Sequence, residues 1–115
     1  MIRSSPFAPA LFSALLALAT ASTASAQQPG ITDTEIKFGN IMPYSGPASA
    51  LSVTGKAFAA YFDLVNEKGG VNGRKLNMIS LDDGFSPPKT VEATRRLVES
   101  DGVAFMFGTM GTAPS

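Results

Sequence analysis

The sequence predicts an α/β fold in which short parallel strands alternate with helices. Apolar runs of strand length, each bounded by turn-forming residues, occur at Ile36–Met42, Lys75–Asp82 and Val103–Phe107. The two segments between them repeat apolar residues at helical spacing. A strand–helix–strand–helix–strand order favours parallel strands joined by right-handed crossovers. We therefore expect a Rossmann-like βαβαβ unit with strand order 2-1-3.

The first strand is predicted over Ile36–Met42 because this segment is rich in Ile and Phe and is stopped by Pro43. The next seven residues, PYSGPAS (43–49), contain two prolines and a glycine, which predicts a loop. Helical spacing begins after this loop, and either Ser49 or Ser52 could cap the first free amides of the helix.

The first helix has one apolar face and a clear end. Four residues at 3-4-3 spacing form that face: Gly55, Phe58, Phe62 and Val65. Lys68 followed by Gly69 and Gly70 predicts the end of the helix. A tight turn is then expected at Asn72-Gly73.

The second predicted strand, Lys75–Asp82, is interrupted by Asn77 and Ser80, which favours an edge position in the sheet. The Asp82-Asp83 pair after it could bind a metal or a ribose. A solvated turn that caps the following segment is the favoured interpretation.

The second helix is predicted to begin with Ser86 as the cap and Pro87 as the first helical residue, and to end at Asp101-Gly102. Its predicted buried stripe consists of Val91, Thr94, Leu97 and Val98. The wholly apolar run Val103–Phe107 then predicts a third strand that is buried on both faces.

Residues 1–26 have the features of a cleavable signal peptide. Arg3 precedes the apolar core Ala10–Ala19, and Ala24-Ser25-Ala26 fits the small-x-small cleavage rule. The apolar core is too short to span a membrane, and the sequence contains no cysteine for lipid attachment. We expect export without a membrane anchor, with residues 27–115 forming the folded part.

Composition excludes several function classes. Without Arg3, eight basic side chains stand against nine acidic ones and form no basic stripe, so nucleic acid is not an expected partner. The chain has no Cys and no His, which argues against zinc sites, redox-metal sites and catalytic triads. No phosphate-binding glycine motif follows the first strand. We therefore expect neither catalysis nor a cofactor nor a metal.

A binding crevice is expected where the chain reverses direction across the sheet, between the loops that leave the first and third strands. These loops, Pro43–Leu51 and Gly108–Ser115, are rich in Gly, Ser and Thr. Backbone amides and hydroxyls near a helix N-terminus suit a carboxylate. Ordinary strand–helix turns have a similar composition, so both interpretations remain open, and Tyr44 could either pack or stack on a ligand.

The motifs together resemble the periplasmic Leu/Ile/Val-type substrate-binding family of branched-chain amino-acid ABC transporters. The resemblance extends from about Glu35 to Ser115. It rests on Ile36–Pro47 (IKFGNIMPYSGP), Tyr61–Leu76 (YFDLVNEKGGVNGRKL), Asp82-Asp83, Pro87–Asp101 and Val103–Thr112 (VAFMFGTMGT).

The resemblance implies a type I periplasmic binding protein with two lobes that close on a small ligand, of which residues 27–115 would be an incomplete N-terminal lobe. Carried over, Thr112 would hold the ligand carboxylate, with Met110 and Gly111 lining the site. Ser45 and Tyr44 would lie in the neighbouring loop. Leu51 stands where amino-acid binders tend to have a tyrosine.

The implied function is that of the periplasmic solute-binding component of an ABC importer, which delivers an amino acid or a similar small carboxylate to membrane permease subunits. We expect the chain ending at Ser115 not to bind well by itself, because a one-sided cleft cannot bury most of a ligand. An extracellular sensor or receptor domain is an alternative. An exported nucleotide-binding enzyme is a weaker one.

Overall fold

The computed structural model describes residues 27–111, so the predicted signal peptide and Thr112 lie outside the described residues. Strand β1 (Glu35–Met42) pairs in parallel with strand β2 (Lys75–Asp82), in a register that runs from Glu35↔Lys75 to Met42↔Asp82. Helix α1 (Ser52–Glu67) connects the two strands. Helix α2 (Pro87–Arg95) follows β2 and continues into a wider π-type turn at Arg96–Ser100. The predicted α/β order is confirmed.

The predicted third strand is present only as an extended segment, residues 103–110, that lies parallel to the free edge of β1. Its amides at 104, 107 and 110 bond in turn to the carbonyls at 37, 39 and 41 of β1, at 2.8, 2.8 and 3.2 Å. From one of these hydrogen bonds to the next, the segment advances by three residues while β1 advances by two. The extra residues bulge the chain and prevent a regular ladder, leaving a single parallel bridge, Gly39↔Met106.

The same hydrogen bonds place β1 between β2 and the third segment, and so confirm the strand order 2-1-3. The prediction that this segment is buried on both faces is wrong, because Phe105 is 48% and Phe107 37% exposed. Within residues 27–111 no further strand pairs with its outer edge, which leaves these rings half covered.

The helices cover opposite faces of the sheet. On the α1 face, the Phe38 ring of β1 meets the Phe62 ring edge-on, with centroids 5.1 Å apart. On the α2 face, Ile41 of β1 packs with Ala93, Leu97 and Val103. Alternate residues of β1 thus face alternate helices, as in a doubly wound sheet.

Neither predicted serine caps α1. A 3₁₀ turn at Ser49–Leu51 precedes the helix, and its backbone carbonyls accept hydrogen bonds from amides at the start of the helix. The Ser52 amide, for example, donates to the Ser49 carbonyl. Since the amides are already paired, no serine side chain is needed there. The predicted end of α1 is confirmed, because Gly69 and Gly70 follow Lys68 with φ of 104° and 77°.

Asn66 joins the end of α1 to the start of β2. Its side-chain amide donates to the Leu76 carbonyl and accepts from the Leu76 amide, both at 2.8 Å. The predicted tight turn is also present, because Asn72 and Gly73 have φ of 51° and 75° and the Val71 amide bonds to the Arg74 carbonyl. These local bonds hold β2 in register with β1.

The predicted stripe of α2 is right at Leu97, half right at the half-buried Thr94, and wrong at Val91 and Val98. The buried residues are Thr90, Ala93 and Leu97, whereas Val91 and Val98 are 59% and 53% exposed. Thr90 faces inward because its hydroxyl donates to the buried Asp83 carboxylate at 2.6 Å. Pro87 begins the helix as predicted, but the Ser86 side chain makes no capping bond.

Candidate functional site

The loops after β1 and after the third segment leave from the same end of the sheet. The two elements are parallel neighbours, and the Met110 amide donates to the Ile41 carbonyl at 3.2 Å near the end of β1. The carboxyl ends of adjacent strands around a reversal of strand order are where open α/β sheets bind ligands. The geometry expected for a crevice is therefore present.

The Asp82 carboxylate fastens the loop after β1 to the end of β2. One oxygen accepts the amides of Tyr44 and Ser45, at 2.9 and 3.1 Å, and the amide of Gly84 at 2.9 Å. The other oxygen accepts the Ser45 hydroxyl. The Ser45 hydroxyl first, and then the Gly84 amide, hold the pKa of Asp82 below its ordinary 3.8. Desolvation opposes this shift, and the Ser45 and Tyr44 amides add to it.

This pKa predicts how Asp82 affects stability with pH. Because the carboxyl is more acidic in the fold, its contribution is complete above about pH 4 and is lost as the pH falls through the folded-state pKa. We expect Asp82→Asn to lower the free energy of unfolding at pH 7, and the difference from wild type to shrink by pH 3. Urea denaturation at both pH values measures this.

Asp63→Asn is the matched control, because Asp63 lies on the exposed face of α1 and forms no hydrogen bond or ion pair with its side chain among residues 27–111. It should change stability by less than about 0.5 kcal/mol at pH 7. A loss in Asp82→Asn that is equally large at pH 7 and pH 3 would contradict the prediction.

Asp83 organises the turn between β2 and α2. It is fully buried and accepts the Phe85 amide at 2.9 Å in addition to the Thr90 hydroxyl. The interpretation of Asp82-Asp83 as a solvated turn is therefore right for the exposed Asp82 and wrong for Asp83. Within residues 27–111 no cluster of three side chains suited to hold a metal is present.

A chain of polar side chains crosses the sheet beneath the two loops. The Tyr44 hydroxyl bonds to the Ser80 hydroxyl, which donates to Asn40 Oδ1 at 2.7 Å. Asn40 Nδ2 donates to the carbonyls of Phe107 and Gly108, at 2.7 and 3.1 Å. The loop after β1 and the loop after the third segment are thus connected through β2 and β1.

The structure places the predicted site residues as follows. Ser45 is exposed, and its hydroxyl hydrogen is donated to Asp82. Leu51 is 40% exposed at the start of α1, and Met110 and Gly111 are half-buried beyond the third segment. Tyr44 is half-buried, with its ring close to Gly55 of α1.

Sequence reasoning missed Asn40, Ser80 and Asp82 as residues that shape the site. The sequence shows Asn40 and Ser80 as polar residues next to apolar ones in two predicted strands, but only the structure shows that the two are register partners. Two surface cavities, of about 390 and 370 Å³, lie against α2. Neither is lined by the described members of the predicted site, which are Tyr44, Ser45, Leu51, Met110 and Gly111.

A model of the periplasmic binding protein family matches residues 35–115. The chain belongs to this family. It is 30% identical over 99 residues to Leu/Ile/Val-binding protein homolog 7 of Brucella suis, an alignment that covers 85% of this chain and 24% of the relative. The chain spans about a quarter of the length of the curated relatives it matches.

Solved structures agree with this family. A fatty acid ABC transporter substrate-binding protein from Thermomonospora curvata superposes with a TM-score of 0.67 at 28% identity, over 76% of this chain and 22% of that one. A type 1 periplasmic binding protein from Bordetella pertussis superposes with a TM-score of 0.58 at 28% identity, over 70% of this chain and 22% of that one. The α/β lobe of a type I periplasmic binding protein is thereby confirmed as the fold.

The family consists of binding proteins rather than enzymes, as the sequence predicts. This family agrees with the predicted resemblance, since the Brucella suis relative is named a Leu/Ile/Val-binding protein homolog. Among the described residues of this periplasmic binding protein, no helix has the length and apolar character needed to cross a membrane.

Proposed function

We propose that this periplasmic binding protein is the solute-binding component of an ABC importer, exported to the periplasm by residues 1–26. Its solute would be a branched-chain type amino acid or a similar small carboxylate, which it would deliver to membrane permease subunits. The observation that supports this most strongly is the pair of Gly-, Ser- and Thr-rich loops at the carboxyl ends of β1 and the third segment, in a family of solute binders.

The names of the relatives support a carboxylate with an apolar chain. One is a Leu/Ile/Val-binding protein homolog, and another is the substrate-binding protein of a fatty acid ABC transporter. Leucine, isoleucine, valine and fatty acids share a carboxylate joined to an aliphatic group. Leu51, exposed at the start of α1, would offer that aliphatic group an apolar contact.

The carboxylate itself would bind at Thr112, with Met110 and Gly111 lining the site. Because Ser45 donates its hydroxyl hydrogen to Asp82, only its oxygen lone pairs remain for a ligand. Ser45 therefore suits a donor group of the solute, such as an ammonium or a bound water, better than the carboxylate. Tyr44 would stabilise the loop after β1 through its hydrogen bond to Ser80.

A thermal-shift screen of the protein expressed from its complete reading frame tests the proposal. The panel contains L-leucine, L-isoleucine, L-valine, hexanoate and octanoate, with L-leucinamide as the matched compound that lacks a carboxylate. At 100 times its dissociation constant a true solute should stabilise the fold by about 2.7 kcal/mol. The amide should not.

Two further arms sharpen this screen. Thr112→Val should weaken binding of the active carboxylate at least tenfold, whereas Thr94→Val on α2 should leave it within twofold. Residues 27–115 alone should bind weakly, because one wall buries too little of a ligand. A full-length protein that no panel carboxylate stabilises would overturn the proposed solute class.

A further inference from the structure

Asn40 is a buried polar residue in the centre of an apolar strand. It is fully buried, and its side chain faces α1 between Phe38 and Met42. Burying an amide side chain is costly unless its polar groups are paired. Here Asn40 Oδ1 accepts a hydrogen bond from the Ser80 hydroxyl, and Asn40 Nδ2 donates to the carbonyls of Phe107 and Gly108.

Those two carbonyls lie where the third segment departs from a regular ladder. Between the amides of Phe107 and Met110, which bond to β1, the chain contains one more residue than a parallel strand would. Gly108 stands in this bulge with φ of 61°, and a Cβ there would lie 2.7 Å from the Phe58 ring. Asn40 satisfies the carbonyls that the bulge turns away from the ladder.

The bulge leads directly into Met110 and Gly111, two of the predicted site residues. We infer that Asn40 is a positioning residue of the solute site, which holds Met110 and Gly111 in their binding geometry through the Phe107 and Gly108 carbonyls. Through Ser80 and Tyr44 the same side chain also connects this segment to the loop after β1. The inference rests on the proposed function for its effect on binding, but its effect on the Met110 segment is independent of any ligand.

Asn40→Asp is the decisive variant. Aspartate has the same shape, but its carboxylate cannot donate and would face two carbonyl oxygens. The control is Ile79→Ala, which removes packing against the core from β2, on the side of β1 away from the third segment. Both variants are made in the protein expressed from its complete reading frame and studied at a temperature where both are folded.

Two readouts are measured on both variants. Calorimetry with L-leucine gives the dissociation constant, which should rise at least tenfold in Asn40→Asp and stay within twofold in Ile79→Ala. Hydrogen exchange without ligand should show the Met110 amide exchanging at least tenfold faster in Asn40→Asp, relative to the β2 amides, and unchanged in Ile79→Ala.

The outcomes separate the two proposals. If wild type does not bind L-leucine, this solute is wrong, and the exchange rate of the Met110 amide still decides the role of Asn40. Wild-type exchange at Met110 in Asn40→Asp, or an equal change in Ile79→Ala, would overturn the inference. Faster exchange at Met110 together with an unchanged dissociation constant would also overturn the inference, since the geometry of this segment would then not determine the affinity for L-leucine.

Discussion

Gly70→Ala is expected to destabilise the fold by about 3 kcal/mol or more, through backbone strain combined with a clash. Gly70 has φ of 77°, and an added Cβ would lie 2.0 Å from the Arg74 carbonyl oxygen. That oxygen also accepts the Val71 amide in the turn that leads into β2. The clash can be relieved only by opening this turn, which sets the register of β2.

Gly73→Ala is the matched control for this experiment. Gly73 has nearly the same φ, 75°, but an added Cβ there would meet nothing within 4 Å. Only left-handed strain remains, at about 1–2 kcal/mol. Urea denaturation of both variants in the full-length protein measures the difference, and equal losses would show that the contact at Arg74 is unimportant.

Gly55→Leu is the second change with a large expected effect. A Cβ on Gly55 would lie 2.6 Å from the Tyr44 hydroxyl and 2.7 Å from Met42 Cγ. Helix propensity favours replacing the glycine by about 1 kcal/mol, but overpacking a tight contact costs typically 1–3 kcal/mol and sometimes more. We expect a net loss of about 2 kcal/mol and weaker solute binding, because Tyr44 must move away from Ser80.

Ala59→Leu on the exposed side of α1 provides the comparison, since it introduces the same side chain at an exposed position. It should change stability by less than about 0.5 kcal/mol. Thermal denaturation and calorimetry with L-leucine report the two effects separately. If Gly55→Leu proves as stable as Ala59→Leu, then α1 does not approach β1 as closely as the structure indicates.

The elements that local chemistry specifies were predicted well. Pro43 ends β1, Gly69-Gly70 end α1, Asn72-Gly73 form the turn and Pro87 begins α2, each because the residue itself restricts or permits particular backbone angles. The strand order 2-1-3 was also predicted correctly, but predictions of which side chains a neighbouring element buries failed. The stripe of α2 is one example, since the Thr90–Asp83 bond rotates Thr90 inward and leaves Val91 outside.

The candidate site also has one part that the sequence predicts and one part that only the structure determines. From the sequence alone, the composition of the two loops and the order of the elements predict either a small-anion crevice or ordinary strand–helix turns at the carboxyl end of the sheet. Which residues shape that crevice depends on strand register, since only the pairing of Asn40 with Ser80 and the reach of Asp82 to the next loop bring their polar groups together. Hydrogen bonds between residues some forty positions apart leave no periodic trace in a sequence, so the tertiary structure alone determined them.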